Sequence, residues 1–545
     1  MGIVGYEKKI IMKFKVYLAI LIFGSFFSKA LSQSTFSPEP EKFLKDVQLF
    51  IGNYNKTKAK KYVNSFETLW LGDFFTPDNR SLVYATLNSM LEKKLRVYPD
   101  FISYFDAIYN YSNSGMSSEK FQKWNNILDN VIKKYNNKRV QDFLKVSNNL
   151  FLDGTIYVTS RTQKAATRWQ VSKKDSFDIQ LVKKLPVFVF HGVDLKCFSK
   201  NDSSVIHNTS GEFSPLTSSW KGDGGKIDWQ RARKDKDIYY AKINSYNISL
   251  KSSSYYIDSV LFYSSYFDYP IMGELTEKII AFRGYTKVNY PVFESYSKRL
   301  YIKNVNSNTN LDYEGGFTIR GRNLNGSGTI DNLAKLKFSY NDKEFLVAES
   351  INFLINDEGV ISNKAKIKFS IGSDSISHPA TNLVFSENTK TLTLSREEDG
   401  VFAAPFYNSY HKIDMYVETL NWKSGEHTIN FSAPKGTKSI KTAQFSSLNF
   451  FDVKSYDNLN TDRGNILVSI KRYATIFGSN TFPVNNLAKY LVKSINDLQF
   501  MLFNLAEKGF VNYDSERKII TCNEKLFNYI ENRSGEKDYD IMIIN

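Results

Sequence analysis

The chain has 545 residues, among them 42 Phe and 34 Tyr, and 42% of it is hydrophobic. This composition excludes a largely disordered chain, and the length predicts several domains, because a domain usually holds about 100 to 200 residues. Lys and Arg outnumber Asp and Glu by 72 to 56, for a formal charge of +16, but the lysines are scattered, which is typical of a solvated surface.

The first residues carry the pattern of an export signal. Lysines precede an uncharged run from Val16 to Phe27, and Ala30-Leu31-Ser32 has the small-x-small form that a signal peptidase recognises. The run is shorter than the ~20 residues that cross a bilayer as a helix. We expect residues 1–32 to be a signal peptide, the mature chain to begin near Gln33 without a transmembrane segment, and the location to be periplasmic or extracellular. An N-terminal anchor or a buried helix is the alternative.

An all-α domain is predicted over 33–150. Apolar residues recur there at the i, i+3, i+4 and i+7 spacing of amphipathic helices, for example from Phe121 to Ile132. Pro77 and Ser117 stand where helices should begin, because Pro fits the first turn and a serine oxygen can accept from free backbone N–H groups. We expect about six helices.

Near Asp153 and Gly154 the spacing changes to alternation, which continues to about Asn460. The segment Lys364–Ile371 alternates strictly, with Ala, Ile, Phe and Ile on one face and three Lys and one Ser on the other. A similar phrase begins at Lys335. The pattern predicts an antiparallel β region over 151–460, in two units, arranged as a sandwich, a jelly roll or an open solenoid.

The last section returns to helices. Three are predicted, over 466–473, 485–493 and 495–508, the last with Ser494 as its N-cap. Two short strands over 510–513 and 518–521 follow. Three helices and a hairpin look like a winged-helix domain, over 461–535, with a tail at 536–545. The predicted fold class is multidomain α+β.

Residues for catalysis are sparse. The five histidines show no HxH or HExxH spacing, and Cys197 and Cys522 are far apart in sequence, as expected for two buried thiols or for one long-range bridge. No GxSxG motif occurs, and Gly222–Lys226 lacks the residues of a phosphate-binding loop and predicts a hairpin turn. We therefore expect no enzyme, no cofactor, no metal and no catalytic residue.

Two tryptophans flank this glycine-rich stretch. Exposed indoles at Trp220 and Trp229 could stack on a ligand such as a sugar, with Asp228 beside them, so these three residues are the candidate binding site. Buried indoles would instead anchor the strands to the core. The anchor is favoured, because fold cores use large aromatic side chains routinely.

Several phrases resemble large secreted envelope proteins of unknown function from Bacteroidota. They are Ile227-Asp228-Trp229, Tyr313–Phe317 with Gly326-Ser327-Gly328 behind it, and Asp399-Gly400 leading to Ser409-Tyr410-His411. The resemblance implies that relatives are longer and that this chain is a truncated member. More distantly, the serial strands are similar to the β-jelly-roll units of lipopolysaccharide-transport proteins, a likeness of architecture that does not fix function.

Three functions follow as hypotheses. The first is an exported binding or scaffold protein of the envelope, whose ligand is an amphiphilic molecule, a glycan or a partner protein, with no nucleic-acid partner. The alternative is an envelope glycan hydrolase, which needs two carboxylates roughly 5 to 10 Å apart in a cleft. A nucleic-acid-binding regulator is the third, and the export signal opposes it.

Overall fold

A computed structural model describes residues 35–52, 54, 65–160, 167–199, 202–279, 289–306, 310–340, 343–397, 400–432, 443–461, 464–541 and 543–544. The chain forms two compact units that interleave along the sequence. Unit 1 holds Met1–Ile227, Lys242–Tyr255 and Lys278–Tyr285, and unit 2 holds Asp228–Ala241, Tyr256–Glu277 and Thr286–Asn545. The predicted signal peptide, residues 1–32, lies outside the described residues.

The N-terminal part of unit 1 is helical, as the sequence predicts. Ser117 Oγ accepts from the Lys120 N–H at 3.3 Å, and Pro77 occupies the first turn of its helix, so both predicted start signals are confirmed. Gly154 ends the last helix with a positive φ of 77°. The helices are α1 Pro40–Gly52, one over 65–71, α2 Pro77–Glu92, α3 Ile102–Ser112, α4 Ser118–Lys134 and α5 Asn137–Asp153, with a π-helical turn at Val97–Phe101.

From Thr155 onward the chain is mainly β, and the strand pairs recorded in both units are antiparallel, apart from an isolated parallel bridge between Phe450 and Asp540. The strands are β1 Thr155–Val158, β2 Thr167–Val171, β3 Phe177–Val182, β4 Leu185–Ser199, β5 Asp202–Ser214, β6 Ser219–Asp223, β7 Lys226–Asp228, β8 Tyr240–Lys242, β9 Ser245–Ser249, β10 Ser254–Tyr263, β11 Ile271–Lys278, β12 Val292–Ser295, β13 Leu300–Ile302, β14 Leu311–Arg320, β15 Asn323–Ser327, β16 Ala334–Tyr340, β17 Lys343–Ser350, β18 Asn352–Asn356, β19 Gly359–Ile371, β20 Asp374–Ser386, β21 Thr391–Ser395, β22 Phe406–Asn408, β23 Ile413–Tyr416, β24 Thr419–Lys423, β25 Ile429–Ser432, β26 Gln444–Ser447, β27 Asn460–Thr461, β28 Gly464–Asn465, β29 Thr481–Pro483, β30 Val511–Asp514, β31 Ile519–Cys522 and β32 Ile543–Ile544.

In unit 1, helices α4 and α5 pack on the sheet that contains β3, β4, β5 and β6. Aromatic rings form this junction: Phe143 of α5 stacks on Phe188 at 6.0 Å, and Phe151 lies 5.9 Å from Phe177. Burying such large side chains contributes much of the stability of a core.

The predicted hairpin turn at Gly222–Lys226 is wrong. Ser210 pairs with Asp223 and His207 pairs with Lys226 in one continuous register, so β6 and the start of β7 follow the same strand, β5. Gly224 and Gly225 have φ of 68° and 134°, values that glycine adopts readily, and they break the strand without reversing it.

In unit 2 three long strands, β14, β19 and β20, take part in two sheet layers. The C-terminal half of β19 pairs with β17, whereas its N-terminal end pairs with β18. In the same way, β20 pairs with β22 through one half and with β21 through the other. The layers enclose an aromatic core in which Trp422 lies 6.1 Å from Phe338 and 4.9 Å from Phe345. The β region is thus sandwich-like.

The C-terminal part of unit 2 is helical again, and a small sheet in the order β29-β31-β30 accompanies the helices. Ser494 Oγ accepts from the Asp497 N–H at 3.1 Å, which confirms the predicted cap. The helices are α6 Val453–Asp457, α7 Ile466–Phe477, α8 Val484–Leu491, α9 Ile495–Glu507 and α10 Glu524–Ser534. No helix of the described residues is long and apolar enough to cross a membrane.

Candidate functional site

A large cleft in unit 2 is the leading candidate for a functional site. Its volume is about 1290 Å³, and one wall is the solvent-facing side of β16, β17, β19 and β20. The opposite wall is the hairpin of β30 and β31 with the start of α10. Sites for single small molecules usually occupy roughly 300 to 1,000 Å³, so this cleft has room for a larger ligand.

Four side chains form one row across the cleft wall. Lys368 of β19 pairs with Ser377 of β20, Ser377 pairs with Tyr407 of β22, and Tyr407 pairs with Asp414 of β23. Directly opposite residues of antiparallel strands point to the same face. An amine, two hydroxyls and a carboxylate therefore line the same surface, which we call the cleft floor.

A second row carries alternating charge. Glu349 of β17 lies between Lys335 of β16 and Lys366 of β19, with Glu349 oxygens 3.1 Å and 3.4 Å from the two Nζ atoms. Although burial opposes the shift, these two lysines hold the pKa of the Glu349 carboxyl below its usual value. Glu349 is therefore a fixed hydrogen-bond acceptor at neutral pH. The sequence predicts Lys366 and Lys368 on a wet face but does not reveal Glu349 between the lysine rows.

The hairpin of β30 and β31 is fixed over this face by polar contacts. Glu516 Oε1 lies 3.0 Å from Lys364 Nζ, and Arg517 Nε donates to the Ile330 carbonyl oxygen. These contacts hold Asn512 and Thr521, which also line the cleft, opposite the cleft floor.

A buried ion pair closes one end of the cleft. Lys525 Nζ, at the start of α10, lies 2.5 Å from Asp414 Oδ2 and 3.5 Å from the Tyr416 hydroxyl. Burial raises the pKa of Asp414, against the attraction of the Lys525 ammonium group. A charge pair removed from water in this way needs such close geometry, because desolvation is costly.

The charges that line the cleft balance. Six basic and six acidic side chains line it, together with apolar ones such as Ile351 and Ile361. The basic residues are Lys335, Lys364, Lys366, Lys368, Arg517 and Lys525, and the acidic ones are Asp331, Glu349, Asp414, Asp514, Glu516 and Glu524. Donors and acceptors are thus both plentiful, whereas no net charge favours an anion or a cation.

His378 also borders the cleft, but its ring is engaged in the core. Nε2 lies 2.7 Å from the Ala404 carbonyl oxygen, and Nδ1 accepts from the Ala380 N–H at 3.1 Å. The ring is therefore neutral, with its proton on Nε2. Burial lowers the pKa of His378 to about 3.

The candidate residue Trp220 is a core anchor in unit 1. Its ring is fully buried and covers Gly211, where an added Cβ would lie 2.5 Å from the indole. Its Nε1 donates to the Tyr246 hydroxyl at 3.1 Å, and Tyr246 covers Gly222 in the same manner. The favoured alternative, an indole that anchors the strands, describes this arrangement.

Trp229 and Asp228 belong to unit 2 and also have structural contacts. The Trp229 ring is fully buried against Phe262 at 4.9 Å, and Asp228 accepts from the Gln230 N–H at 3.0 Å. Neither tryptophan lines the cleft. Binding by Trp220, Asp228 and Trp229 stays a prediction, and stacking on either indole would require it to become exposed.

Cys197 and Cys522 are both buried and form no disulfide within the described residues, and burial raises the pKa of the Cys522 thiol to about 12. Within the described ranges, no three His, Cys, Asp or Glu side chains are grouped so as to hold a metal ion.

Comparisons with protein-family models, with curated proteins and with solved structures find no match to this chain.

Proposed function

We propose that this chain is an exported binding protein of the cell envelope and that the cleft of unit 2 binds a glycan. The observation that carries the proposal is the cleft floor of Lys368, Ser377, Tyr407 and Asp414 inside a cleft of about 1290 Å³. Paired ammonium, carboxylate, amide and hydroxyl groups can donate to and accept from many sugar hydroxyls at once.

Charge and size narrow the ligand class. Because six acidic groups offset six basic ones, a neutral polyhydroxylated ligand fits better than a strongly anionic one. The volume favours an oligomer over a single sugar. The stems of the lysines, Tyr407 and the apolar Ile361 offer carbon surface for sugar C–H groups.

Binding is favoured over hydrolysis by the positions of the two cleft carboxylates whose pKa values are shifted, Glu349 and Asp414. The pKa of Glu349 is lowered, whereas burial raises that of Asp414, a contrast that could suit a base and an acid. However, β17 and β23 are four strand steps apart, through β19, β20 and β22. At ~4.8 Å per step the separation is roughly 19 Å along the sheet, beyond the span of a glycosidase pair.

The proposal also includes finer assignments of the fold. The order α7, β29, α8, α9, β30, β31 supports a winged-helix domain. Because its hairpin and α10 form one wall of the cleft, we propose that this domain serves as a protein-contact module. The strands shared between layers support a jelly-roll-like β region.

A glycan array probed with the full chain tests the proposal. We expect binding to neutral oligosaccharides, with no shortened product after long incubation. Failure to bind any neutral glycan contradicts the ligand class, and release of shorter glycans supports the hydrolase instead.

A further inference from the structure

Exposed apolar side chains gather at one end of the C-terminal helices. Ile476 and Phe477 lie in the last turn of α7, and Tyr490 and Val492 lie at the end of α8, with Ile495 at the start of α9. Tyr473 joins the two helix ends, with its ring 5.8 Å from Phe477 and 5.1 Å from Tyr490. We call the five exposed residues the apolar tip.

The backbone at the apolar tip is itself unusual. Val492 caps α8 with φ 53° and ψ 48°, and 71% of its side chain is exposed. This left-handed conformation is strained for a β-branched residue, and helices usually place glycine there. The cap sets this backbone, since the Val492 N–H donates to the Lys489 carbonyl oxygen at 3.2 Å, but it does not require an exposed valine. Strained outliers of this kind cluster at functional positions.

The charged residues on α7, on α8 and in the turn that follows α8 are all basic. Between residues 464 and 496 the sequence holds Lys471, Arg472, Lys489 and Lys493 and no acidic residue, and the next residue, Asp497, accepts from the Ser494 hydroxyl at 2.6 Å. Lys471 pairs with Glu531, whereas Arg472, Lys489 and Lys493 have no ion pair among the residues that the structure describes. Three unpaired cations therefore border the exposed apolar side chains.

We propose that the apolar tip docks on an anionic lipid bilayer, with its aliphatic and aromatic side chains inserted at the interface and Arg472, Lys489 and Lys493 on the lipid phosphates. Tyrosine and phenylalanine suit the headgroup boundary, and basic side chains beside them attract anionic lipids. Charge complementarity favours this occupant over a second copy of the chain, whose identical basic face would repel it. The inference does not depend on the ligand of the cleft.

The test uses the full chain and two kinds of vesicle, phosphatidylcholine alone and phosphatidylcholine containing phosphatidylglycerol. In co-sedimentation, we expect the wild type to bind the anionic vesicles and to be released by salt. The double variant Ile476→Ser with Val492→Gly should bind the anionic vesicles at least about tenfold more weakly, because apolar insertion is lost. Arg472→Gln and Lys489→Gln should each reduce binding about fivefold.

Two controls separate docking from folding. Val492→Gly alone should raise the thermal midpoint, since glycine adopts the left-handed conformation without strain, while it weakens vesicle binding. Leu71→Ser removes an aliphatic side chain that is 67% exposed, close to the 68% of Ile476, and should bind vesicles as the wild type does.

Equal binding by the wild type and the double variant, or no preference for anionic vesicles, contradicts the proposal. A third result would also contradict it: the wild type does not bind vesicles but self-associates, and the double variant no longer self-associates. The apolar tip would then dock on a second copy of the chain.

Discussion

Lys525 Nζ and Asp414 Oδ2 lie 2.5 Å apart with both side chains buried, and they join residues that are 111 positions apart in the sequence. The pair connects α10 to β23 at the end of the cleft. Because each charge is removed from water, each depends on the other. Removing one charge of the pair should therefore lower the free energy of unfolding more than replacing both residues by apolar ones.

The first prediction concerns this pair. Asp414→Asn should destabilise the region by about 3 to 5 kcal/mol, because it leaves the ammonium group buried without a counter-charge. Hydrogen exchange measured by mass spectrometry on peptides from β23 and α10 measures this loss of local stability. The double variant Asp414→Leu with Lys525→Met should recover most of the lost stability. As a control, Asp142→Asn breaks the exposed pair with Lys138 and should change stability by less than about 0.5 kcal/mol.

The second prediction is a pH dependence from His378. Its folded pKa of about 3 lies below the unfolded value of 6.5, so the unfolded chain binds the proton more readily. Stability is therefore complete above pH 6.5 and is lost as the pH falls towards 3. From pH 7 to pH 5 the free energy of unfolding should fall by about 2 kcal/mol because of His378. Denaturant unfolding of His378→Gln at the two pH values should show a pH-dependent decrease that is smaller by this amount. The control His411→Gln, at an exposed position, should keep the pH dependence of the wild type. An unchanged pH dependence in His378→Gln would show that the His378 ring is not its cause.

The third prediction tests the cover of Trp220 over Gly211. Gly211→Ala places a Cβ 2.5 Å from the indole and should cost about 1 to 3 kcal/mol through overpacking. Gly52→Ala is the matched change, because nothing lies within 4 Å of its added Cβ. Thermal unfolding should show a lower midpoint for Gly211→Ala alone. Equal midpoints for the two variants would mean that the indole moves aside without cost.

The fourth prediction is that the C-terminal helices do not bind duplex DNA. Helix α9, the candidate recognition helix, carries Asp497 and Glu507, and its Phe503 packs on the 3₁₀ turn Gly400–Ala403, where a Cβ at Gly400 would be 3.4 Å from the ring. A face covered by protein cannot enter a groove. Fluorescence anisotropy with the full chain should show no salt-dependent affinity tighter than about micromolar.

Local signals in the sequence predict local structure well. The sequence predicts Ser117 and Ser494 as helix caps, and both accept hydrogen bonds from the expected backbone N–H groups. Alternation from Lys364 onward predicts β19 and its buried Ala365, Ile367 and Phe369, because side-chain direction follows directly from strand period. Only Ile371, at the end of the strand, is exposed instead of buried.

Contacts between segments that are distant in the sequence cannot be predicted from such local signals. The cleft combines strands near residues 335 to 414 with a hairpin near residue 515, and nothing in local spacing specifies which hairpin covers which sheet face. For the same reason the sequence does not single out Glu349, Tyr407 or Lys525. The turn predicted at Gly224 and Gly225 is wrong because glycine allows both a reversal and a bulge, and the register with β5 decides between them.

Filling the cleft tests directly whether it binds a glycan. Ser377 lies in the middle of the cleft floor, so Ser377→Trp should block the ligand without removing a core side chain. Calorimetric titration of a neutral oligosaccharide selected on the array should show saturable binding to the wild type and to Ser339→Trp, whose position on β16 does not line the cleft in the described part of the chain. We expect no measurable binding to Ser377→Trp; binding equal to that of the wild type would contradict glycan binding in the cleft.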